Sequence, residues 1–190
     1  MKNSIESVLA ADHESLARLL AELDRELASP NIARAFELLD LFWARLAVHI
    51  RAENLHLFPA LADAPVALFS GKDGLPTAAE THDALARLRS DHDFFMKELA
   101  QLIKIMREIA DIHSSPGEEV EAVRQRMVAI KGRLEVHNDL EEQQVYQWPA
   151  LFLDAPAFTR LCQGLSQELD NLPPRFTAIT PPASTHTENV

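Results

Sequence analysis

The sequence is poor in cysteine, glycine and basic residues, and each shortage excludes a class of protein. A single cysteine, Cys162, rules out an internal disulfide and any zinc or iron–sulfur site built from several cysteines of one chain. Only five glycines occur in 190 residues, and this composition favours helix. The net charge of −11 argues against nucleic acid and against anionic lipid as partners.

Long hydrophobic runs are also missing from the sequence. No stretch is apolar over the roughly 20 residues that a bilayer-spanning helix needs, and residues 1–6 lack the apolar run of a signal peptide. We therefore expect a protein of the reducing cytoplasm with no membrane partner. At this length the chain can bury a sizeable core without disulfides.

Apolar residues recur at helical spacing in five segments of the chain. These segments cover approximately residues 4–28, 30–60, 77–113, 117–147 and 154–172. Helix-capping residues mark their starts, namely Asn3 with Glu6, Ser29 before Pro30, Thr77 with Glu80, Ser115 with Glu118, and Asp154. Two hairpins with Ser-Pro turns, joined by a longer loop over residues 61–76, predict an all-α, up-down-up-down four-helix bundle.

The predicted domain organisation has three parts. The four-helix bundle occupies residues 1–152, an accessory helix covers 153–172, and the Thr-, Pro- and Ser-rich residues 173–190 form a disordered tail. The accessory helix packs either on the side of the bundle or on a partner subunit, so a homodimer stays open at this point.

A His-x-x-x-Glu motif occurs once in each half of the chain, at His49–Glu53 and at His137–Glu141. A spacing of four places the imidazole and the carboxylate on one helix face. Both copies continue to a hydrophobic residue and an aromatic one, Leu57-Phe58 and Val145-Tyr146, and then to Pro-Ala-Leu. One such motif is more often a solvated helix face, but its repetition in matched surroundings indicates two related sites.

Each half also contains a lone histidine between acidic residues, His13 in the first and His92 in the second. With a rise of about 1.5 Å per residue, His13 lies about 24 Å and His49 about 28 Å from the first turn. His92 and His137 each lie about 33 Å from the second turn. The histidines of each hairpin therefore meet at one depth of the bundle.

The candidate metal ligands are His13, His49, Glu53, His92, His137 and Glu141. Four imidazoles and two carboxylates suit iron or manganese. If both carboxylates bridge two cations, there is still room for an oxo or hydroxo bridge and for a small molecule. A ferritin-like site uses Glu-x-x-His pairs and a glutamate on each other helix, so the order and spacing here argue against it.

With this pattern the chain resembles the hemerythrin-like, or HHE cation-binding, family. The matching features are the two lone histidines, the two His-x-x-x-Glu motifs and Leu57-Phe58-Pro59, over about residues 5–152. The resemblance implies a four-helix bundle that holds a non-haem centre of two iron ions at the six candidate ligands, with two bridging carboxylates. The ligand set is closest to that of the bacterial iron–sulfur-cluster repair proteins and the iron-sensing domains of the family.

Two departures from the family pattern bear on function. Its oxygen carriers have a second histidine one turn after the third-helix ligand, where this sequence has Met96, and this puts reversible oxygen storage in doubt. The repair proteins usually have an N-terminal segment with cysteine, for which this sequence has no counterpart.

Three functions are therefore open. The first is a protein that binds or senses O2, NO or peroxide at a di-iron centre. The second is an oxidoreductase or iron donor in cluster repair and stress response, or an iron sensor or store. The third is a helical interaction module whose His/Glu set no longer binds metal. No catalytic residue is assigned, because the sequence does not decide whether the protein is an enzyme.

Two polar residues near the motifs lie outside the set of six candidate ligands. His56 follows His49 by seven residues on the same face, and its counterpart is Gln144; we expect it beside the ligands, with direct ligation as the alternative. Glu142 is expected to be solvated.

The aromatic residues near the motifs leave further alternatives. Phe95 and Met96 are expected to wall a ligand pocket, unless they only pack in the core. Tyr146 either donates a hydrogen bond near the metals or closes the end of the bundle.

Overall fold

A computed structural model describes residues 4–29, 31–64, 75–111 and 117–172, and every regular element in these ranges is helical. The helices are α1 (Ile5–Leu27), α2 (Ile32–Ala52), α3 (Phe58–Ala62), α4 (Ala78–Asp111), α5 (Gly117–Gln143), α6 (Trp148–Phe152) and α7 (Ala155–Asp170). A π-helical turn at Glu53–Leu57 joins α2 to α3, and a 3₁₀ turn at Val145–Gln147 precedes α6. Within the described ranges no helix is both long and apolar enough to cross a bilayer.

Helices α1, α2, α4 and α5 form the four-helix bundle. α1 packs on α2, α2 on α4, α4 on α5, and α5 returns to α1. Consecutive long helices are thus neighbours in space, as in an up-down-up-down bundle. The predicted all-α fold is confirmed.

The first two helices begin later than the capping residues predict. Ser4 caps α1 through a box with Ser7, whose backbone N–H donates to Ser4 Oγ over 3.0 Å. Asn31, and not Ser29, caps α2 by accepting a hydrogen bond from the Arg34 backbone N–H. Asn3 and Pro30 lie outside the described residues.

Two other predicted caps are present. Glu80 accepts from the Thr77 backbone N–H over 2.7 Å, and Thr77 Oγ1 accepts from the Glu80 backbone N–H over 3.1 Å. Asp154 caps α7 by accepting from the Ala157 backbone N–H over 2.8 Å. The Ser115 cap and most of the loop between the hairpins (residues 65–74), together with the tail 173–190, lie outside the described residues.

The apolar side chains form two cores at opposite ends of the bundle. The turn-end core contains buried residues of α1, α2, α4 and α5 nearest the hairpin turns, such as Leu23, Phe42, Leu99 and Ile130. The loop-end core lies at the other end and includes Ile5, Phe58, Leu88 and Tyr146. Each large apolar side chain removed from water contributes about 1.5–3 kcal/mol, so both cores hold the helices firmly on either side of the layer between them.

Helix α7 packs on its own chain, against α1, α2 and the π-helical turn. Its buried face, Leu161, Cys162 and Leu165, extends the loop-end core. Arg51 of α2 hydrogen-bonds to Glu168 and donates to the Asn171 backbone carbonyl over 2.8 Å. Of the two predicted placements for this helix, the structure therefore has the one on the side of the bundle.

The two copies of the repeat leave their helices by different routes. After Glu53 the backbone stays helical but widens to a π turn, in which the Phe58 N–H donates to the Glu53 carbonyl. After Glu141 the helix ends at Gln143, and a 3₁₀ turn follows. Helix α5, the fourth helix of the bundle, therefore ends four residues before its predicted end near residue 147. The 3₁₀ turn that follows it buries Tyr146.

Candidate metal centre

The structure brings all six predicted ligands together in the polar layer between the two cores. α1 supplies one histidine, α2 a second and α4 a third; the π turn supplies one glutamate, and α5 supplies a histidine and a glutamate. Each of the six is 6% exposed or less. They are His13, His49, Glu53, His92, His137 and Glu141.

Glu53 faces both pairs of histidines with its two oxygens. Its Oε1 lies 3.5 Å from His49 Nε2, and its Oε2 lies 3.2 Å from His92 Nε2. Glu53 can therefore offer one oxygen to a cation in each half of the layer.

Glu141 repeats this arrangement from the opposite helix. Its Oε1 lies 3.1 Å from His137 Nε2, and its Oε2 lies 3.4 Å from His13 Nε2. Two donor sets result. The first donor set consists of His13, His49, Glu53 Oε1 and Glu141 Oε2, and the second of His92, His137, Glu53 Oε2 and Glu141 Oε1.

The second donor set contains buried polar atoms that no hydrogen bond satisfies. Glu53 Oε2, Glu141 Oε1 and both ring nitrogens of His92 have no well-aligned hydrogen-bond partner, although Glu53 Oε2 lies 3.2 Å from His92 Nε2 and Glu141 Oε1 lies 3.1 Å from His137 Nε2. An unsatisfied buried polar atom costs about 1–3 kcal/mol. The ligand atoms of Glu53, His92, His137 and Glu141 all lie within 4.8 Å of one another, as do those of His13, His49 and Glu141. Convergence of oxygen and imidazole donors without mutual hydrogen bonds fits a cation held between them.

An aspartate and an arginine orient the histidine of each repeat. Asp12 Oδ2 accepts from His49 Nδ1 over 3.0 Å, and Asp12 Oδ1 accepts from Arg45 over 2.6 Å. A carboxylate on Nδ1 fixes the tautomer, which leaves the Nε2 lone pair for a metal, and it raises the basicity of the ring.

The second repeat has the same support. Asp91 Oδ2 accepts from His137 Nδ1 over 3.3 Å, and Asp91 Oδ1 accepts from Arg133 Nε over 2.6 Å. The His-x-x-x-Glu motif by itself does not predict this arginine. The arginine belongs to a longer pattern that both copies share, Arg-Leu-x-Val-His-x-x-x-Glu. The two aspartates stand directly before His13 and His92.

Glu142 was expected to be solvated, but in the structure it also has a partner. Its Oε1 accepts from His13 Nδ1 over 2.7 Å, although the side chain is 42% exposed. The predicted exposure is present in part, and the contact with His13 was not predicted because it depends on how α1 packs against α5. The corresponding residue in the first repeat, Asn54, is exposed and His92 Nδ1 stays unpaired.

The charges of the layer compensate one another. Burial by itself would lower the pKa of His49, but Glu53 and the Asp12 hydrogen bond raise it to about 10. Burial would raise the pKa of Glu53, yet His49 and His92 hold it well below its usual range. Without metal the layer therefore contains an imidazolium beside an ionised carboxylate, and a cation that binds must displace protons.

The ring of Tyr146 belongs to the loop-end core, and its hydroxyl reaches into the polar layer. Its hydroxyl is 2.8 Å from Glu53 Oε1 and 3.1 Å from Glu141 Oε2. It is also 3.2 Å from His13 Nε2 and 3.5 Å from His49 Nε2. Burial, and then the two glutamates, raise the pKa of Tyr146 well above its ordinary value, so in the metal-free layer the hydroxyl keeps its proton.

Aromatic rings without polar atoms flank the second donor set. Phe58 stacks on His92, with ring centroids 5.6 Å apart and an interplanar angle of 5°. Phe95 meets His137 edge-on, with centroids 5.2 Å apart. The predicted placement of Phe95 beside the ligands agrees with these contacts. Met96 is only partly buried and packs against the turn-end core, which agrees with the alternative that it serves core packing and not a pocket wall.

His56 lies outside both donor sets. It belongs to the π turn, it is partly exposed, and its ring packs against Gly164 of α7. A Cβ on Gly164 would come within 2.8 Å of His56 Nδ1, so the missing side chain makes room for the ring. The π turn decides this position, because it changes which face of the helix a residue seven places after His49 occupies.

A small cavity reaches the polar layer between α1 and α5. Its volume is about 180 Å³, and His13, Ala17, Leu134 and Asn138 are among its lining residues. The ion pair of Asp24 with Lys131 also borders it. The cavity adjoins the first donor set, whereas the sequence places the ligand pocket near Met96.

The comparison with known families agrees with this geometry. The family model described as the hemerythrin HHE cation binding domain matches residues 4–149. The chain belongs to the hemerythrin HHE cation-binding domain family. The matched range takes in both donor sets, so this hemerythrin domain contains a His/Glu cluster suited to a metal ion. No curated protein and no solved structure matches the chain.

Proposed function

We propose that this hemerythrin-domain protein holds two non-haem iron ions and binds a small ligand, O2, NO or peroxide, at that centre. The observation that carries the proposal is the position of Glu53 and Glu141, each of which faces both pairs of histidines with separate oxygens. A carboxylate in this position can bridge two cations and bring them close together.

The donor chemistry supports iron over a calcium- or zinc-like occupant. Calcium prefers a site made only of oxygens, and structural zinc takes four tetrahedral ligands, often thiolates. Here each donor set contributes two imidazole nitrogens and two carboxylate oxygens, which suits iron and leaves manganese as the alternative. Bound iron would supply an open coordination position and redox chemistry, while the buried layer restricts access to it.

The surroundings favour a small ligand over a large substrate. Phe58 and Phe95 lie against the histidines of the second donor set, and the two cores lie on either side of the layer, which favours small molecules. The cavity beside His13 is wide enough for a few molecules the size of water or a diatomic gas. We therefore assign the role of partner to a diatomic gas or peroxide.

Metal analysis tests the proposal most directly. Protein purified aerobically without added metal is expected to contain two irons per chain, in line with its two donor sets. Azide or NO is expected to shift its visible spectrum. Chelation is expected to lower the melting temperature, because metal that binds only the native state stabilises it. A single zinc held by one donor set, or a melting curve unchanged after verified iron removal, would overturn the proposal.

Two further measurements separate a binding protein from the alternative roles in the same centre. An oxidoreductase would consume peroxide or NO with turnover, and an iron donor would transfer its metal to an apo-cluster protein. Binding without turnover and without transfer is the outcome expected here. Turnover or transfer would move the function to the oxidoreductase or to cluster repair while leaving the metal centre in place.

A further inference from the structure

The hydroxyl of Tyr146 lies among the four atoms of the first donor set. Its distances to Glu53 Oε1, Glu141 Oε2, His13 Nε2 and His49 Nε2 range from 2.8 to 3.5 Å. The side chain is 2% exposed, so water does not compete for these contacts. Two carboxylate oxygens and two ring nitrogens converge on one phenol oxygen, which has a single proton to donate. That proton can satisfy only one of the two carboxylate oxygens.

The matching position in the other half has no such atom. Phe58 follows Glu53 by five residues, as Tyr146 follows Glu141 by five. Each aromatic ring lies beside the lone histidine of the opposite half, with centroids 5.7 Å apart for Tyr146 and His13 and 5.6 Å apart for Phe58 and His92. The pseudo-equivalent residues therefore differ by one hydroxyl, and that hydroxyl points into the first donor set.

We propose that Tyr146 is the fifth protein ligand of the cation held by the first donor set, bound through its phenolate oxygen. This inference rests on the proposed di-iron function. On binding, the phenol O–H bond breaks, an oxygen–iron(III) bond forms, and the proton passes to solvent with no change in oxidation state. A hard, anionic oxygen suits oxidised iron, and a bound cation removes protons that burial alone would retain.

The consequence is an unequal pair of metal positions. The first cation receives five protein donors, and the second receives four because Phe58 offers none. The cation of His92 and His137 therefore has the lower donor count, so an exogenous ligand that enters by the cavity beside His13 is expected to bind there and not at the five-donor cation. The second cation is also the one that would lack a histidine ligand at position 96, because this chain has Met96 one turn after His92.

The amino-acid composition makes the test unambiguous. Tyr146 is the only tyrosine of the chain, so any tyrosinate signal comes from this residue. The full chain is loaded with iron(III), and visible absorption and resonance Raman spectra are recorded. We expect a phenolate-to-iron charge-transfer band and tyrosinate ring modes that shift when the protein is grown with ring-deuterated tyrosine. The isotope measurement uses the unmutated protein, so it does not depend on a variant that folds.

Two matched variants complete the experiment. Tyr146→Phe is expected to retain iron and lose the band, and Phe58→Tyr to gain a second phenolate contribution and lose the azide response. An unmutated protein that binds two irons and responds to azide without tyrosinate modes would overturn the inference and leave the proposed function standing. A band that persists in Tyr146→Phe would also overturn it. Failure of the unmutated protein to bind iron would overturn both.

Discussion

The two donor sets come from the same repeated motif, yet they differ in what surrounds them. In the first set, His13 donates to Glu142 and the Tyr146 hydroxyl touches every donor. In the second set, His92 has no hydrogen-bond partner on either nitrogen and stacks on Phe58. Hydrogen bonds orient both histidines of the first set, whereas in the second set they orient only His137, and His92 is held by packing. The two copies of one motif therefore differ in their surroundings: a hydroxyl lies among the donor atoms of the first set, and only a phenyl ring lies beside the second.

Removal of a carboxylate should have the largest effect, because Glu141 serves both sets. Glu141→Gln is expected to reduce metal content from two ions per chain to less than one, whereas His92→Ala should leave the first ion in place. Elemental analysis of both variants, with circular dichroism as the control for folding, makes the measurement. Retention of two ions by Glu141→Gln would show that the halves do not share their carboxylates.

The pH dependence of metal binding should be nearly as large. Since the pKa of His49 is raised to about 10 and metal binds only neutral imidazole, the metal affinity of the folded protein should rise roughly tenfold per pH unit until the pH reaches about 10. The metal-free protein should show the opposite trend. The stabilisation due to protonated His49 is complete below about 6.5, the pKa in the unfolded chain, and is lost as pH rises toward 10.

Competition with a chelator for a soluble divalent ion such as manganese measures the metal affinity at each pH. Melting curves with and without metal measure the pH dependence of stability. The difference in melting temperature between loaded and metal-free protein should widen with increasing pH. A difference that narrows as pH rises would contradict the assignment of a protonated His49 in the metal-free layer.

Substitution of Asp12 and of Asp91 tests whether the two halves differ in how firmly His49 and His137 are oriented. Asp12→Ala and Asp91→Ala should each weaken metal binding by about 10- to 100-fold, because each frees a ligand histidine to rotate. The Asp12 variant should show the larger loss, since its hydrogen bond to His49 is 3.0 Å long against 3.3 Å for Asp91 to His137. Glu14→Ala, at an exposed neighbour of His13, is the control. Equal losses in Glu14→Ala would point to general charge effects.

The smallest effect is expected from Glu142→Gln. The amide oxygen can still accept from His13 Nδ1, and the side chain is 42% exposed, so affinity should fall only a few-fold. Asn54→Ala, at the matching exposed position of the other half, should change nothing because His92 Nδ1 has no partner to lose. Titration with the same divalent ion compares the two, and a larger loss in Asn54→Ala would reverse the proposed asymmetry.

Local patterns were enough to predict the helices and to predict that the six His and Glu residues of the candidate centre lie together. Helical periodicity depends on neighbours three and four residues apart, and depth in a hairpin depends only on the rise per residue. The caps at Thr77 and Asp154 follow from equally local hydrogen bonds. The caps of α1 and α2 were misplaced by one and two residues, since several polar residues compete at those ends.

By itself the sequence determined the bundle and the inventory of donors, but only the tertiary structure decided how the two halves differ. Contacts of Glu142 with His13 and of Tyr146 with Glu53 join residues 129 and 93 positions apart, and no periodicity within one helix encodes them. The π turn after Glu53 and the helix end after Gln143 send residues at the same offset along different backbone paths. Those paths place a hydroxyl in one donor set and only a phenyl ring beside the other, because α7 packs on the π turn and both turns bury side chains in the loop-end core.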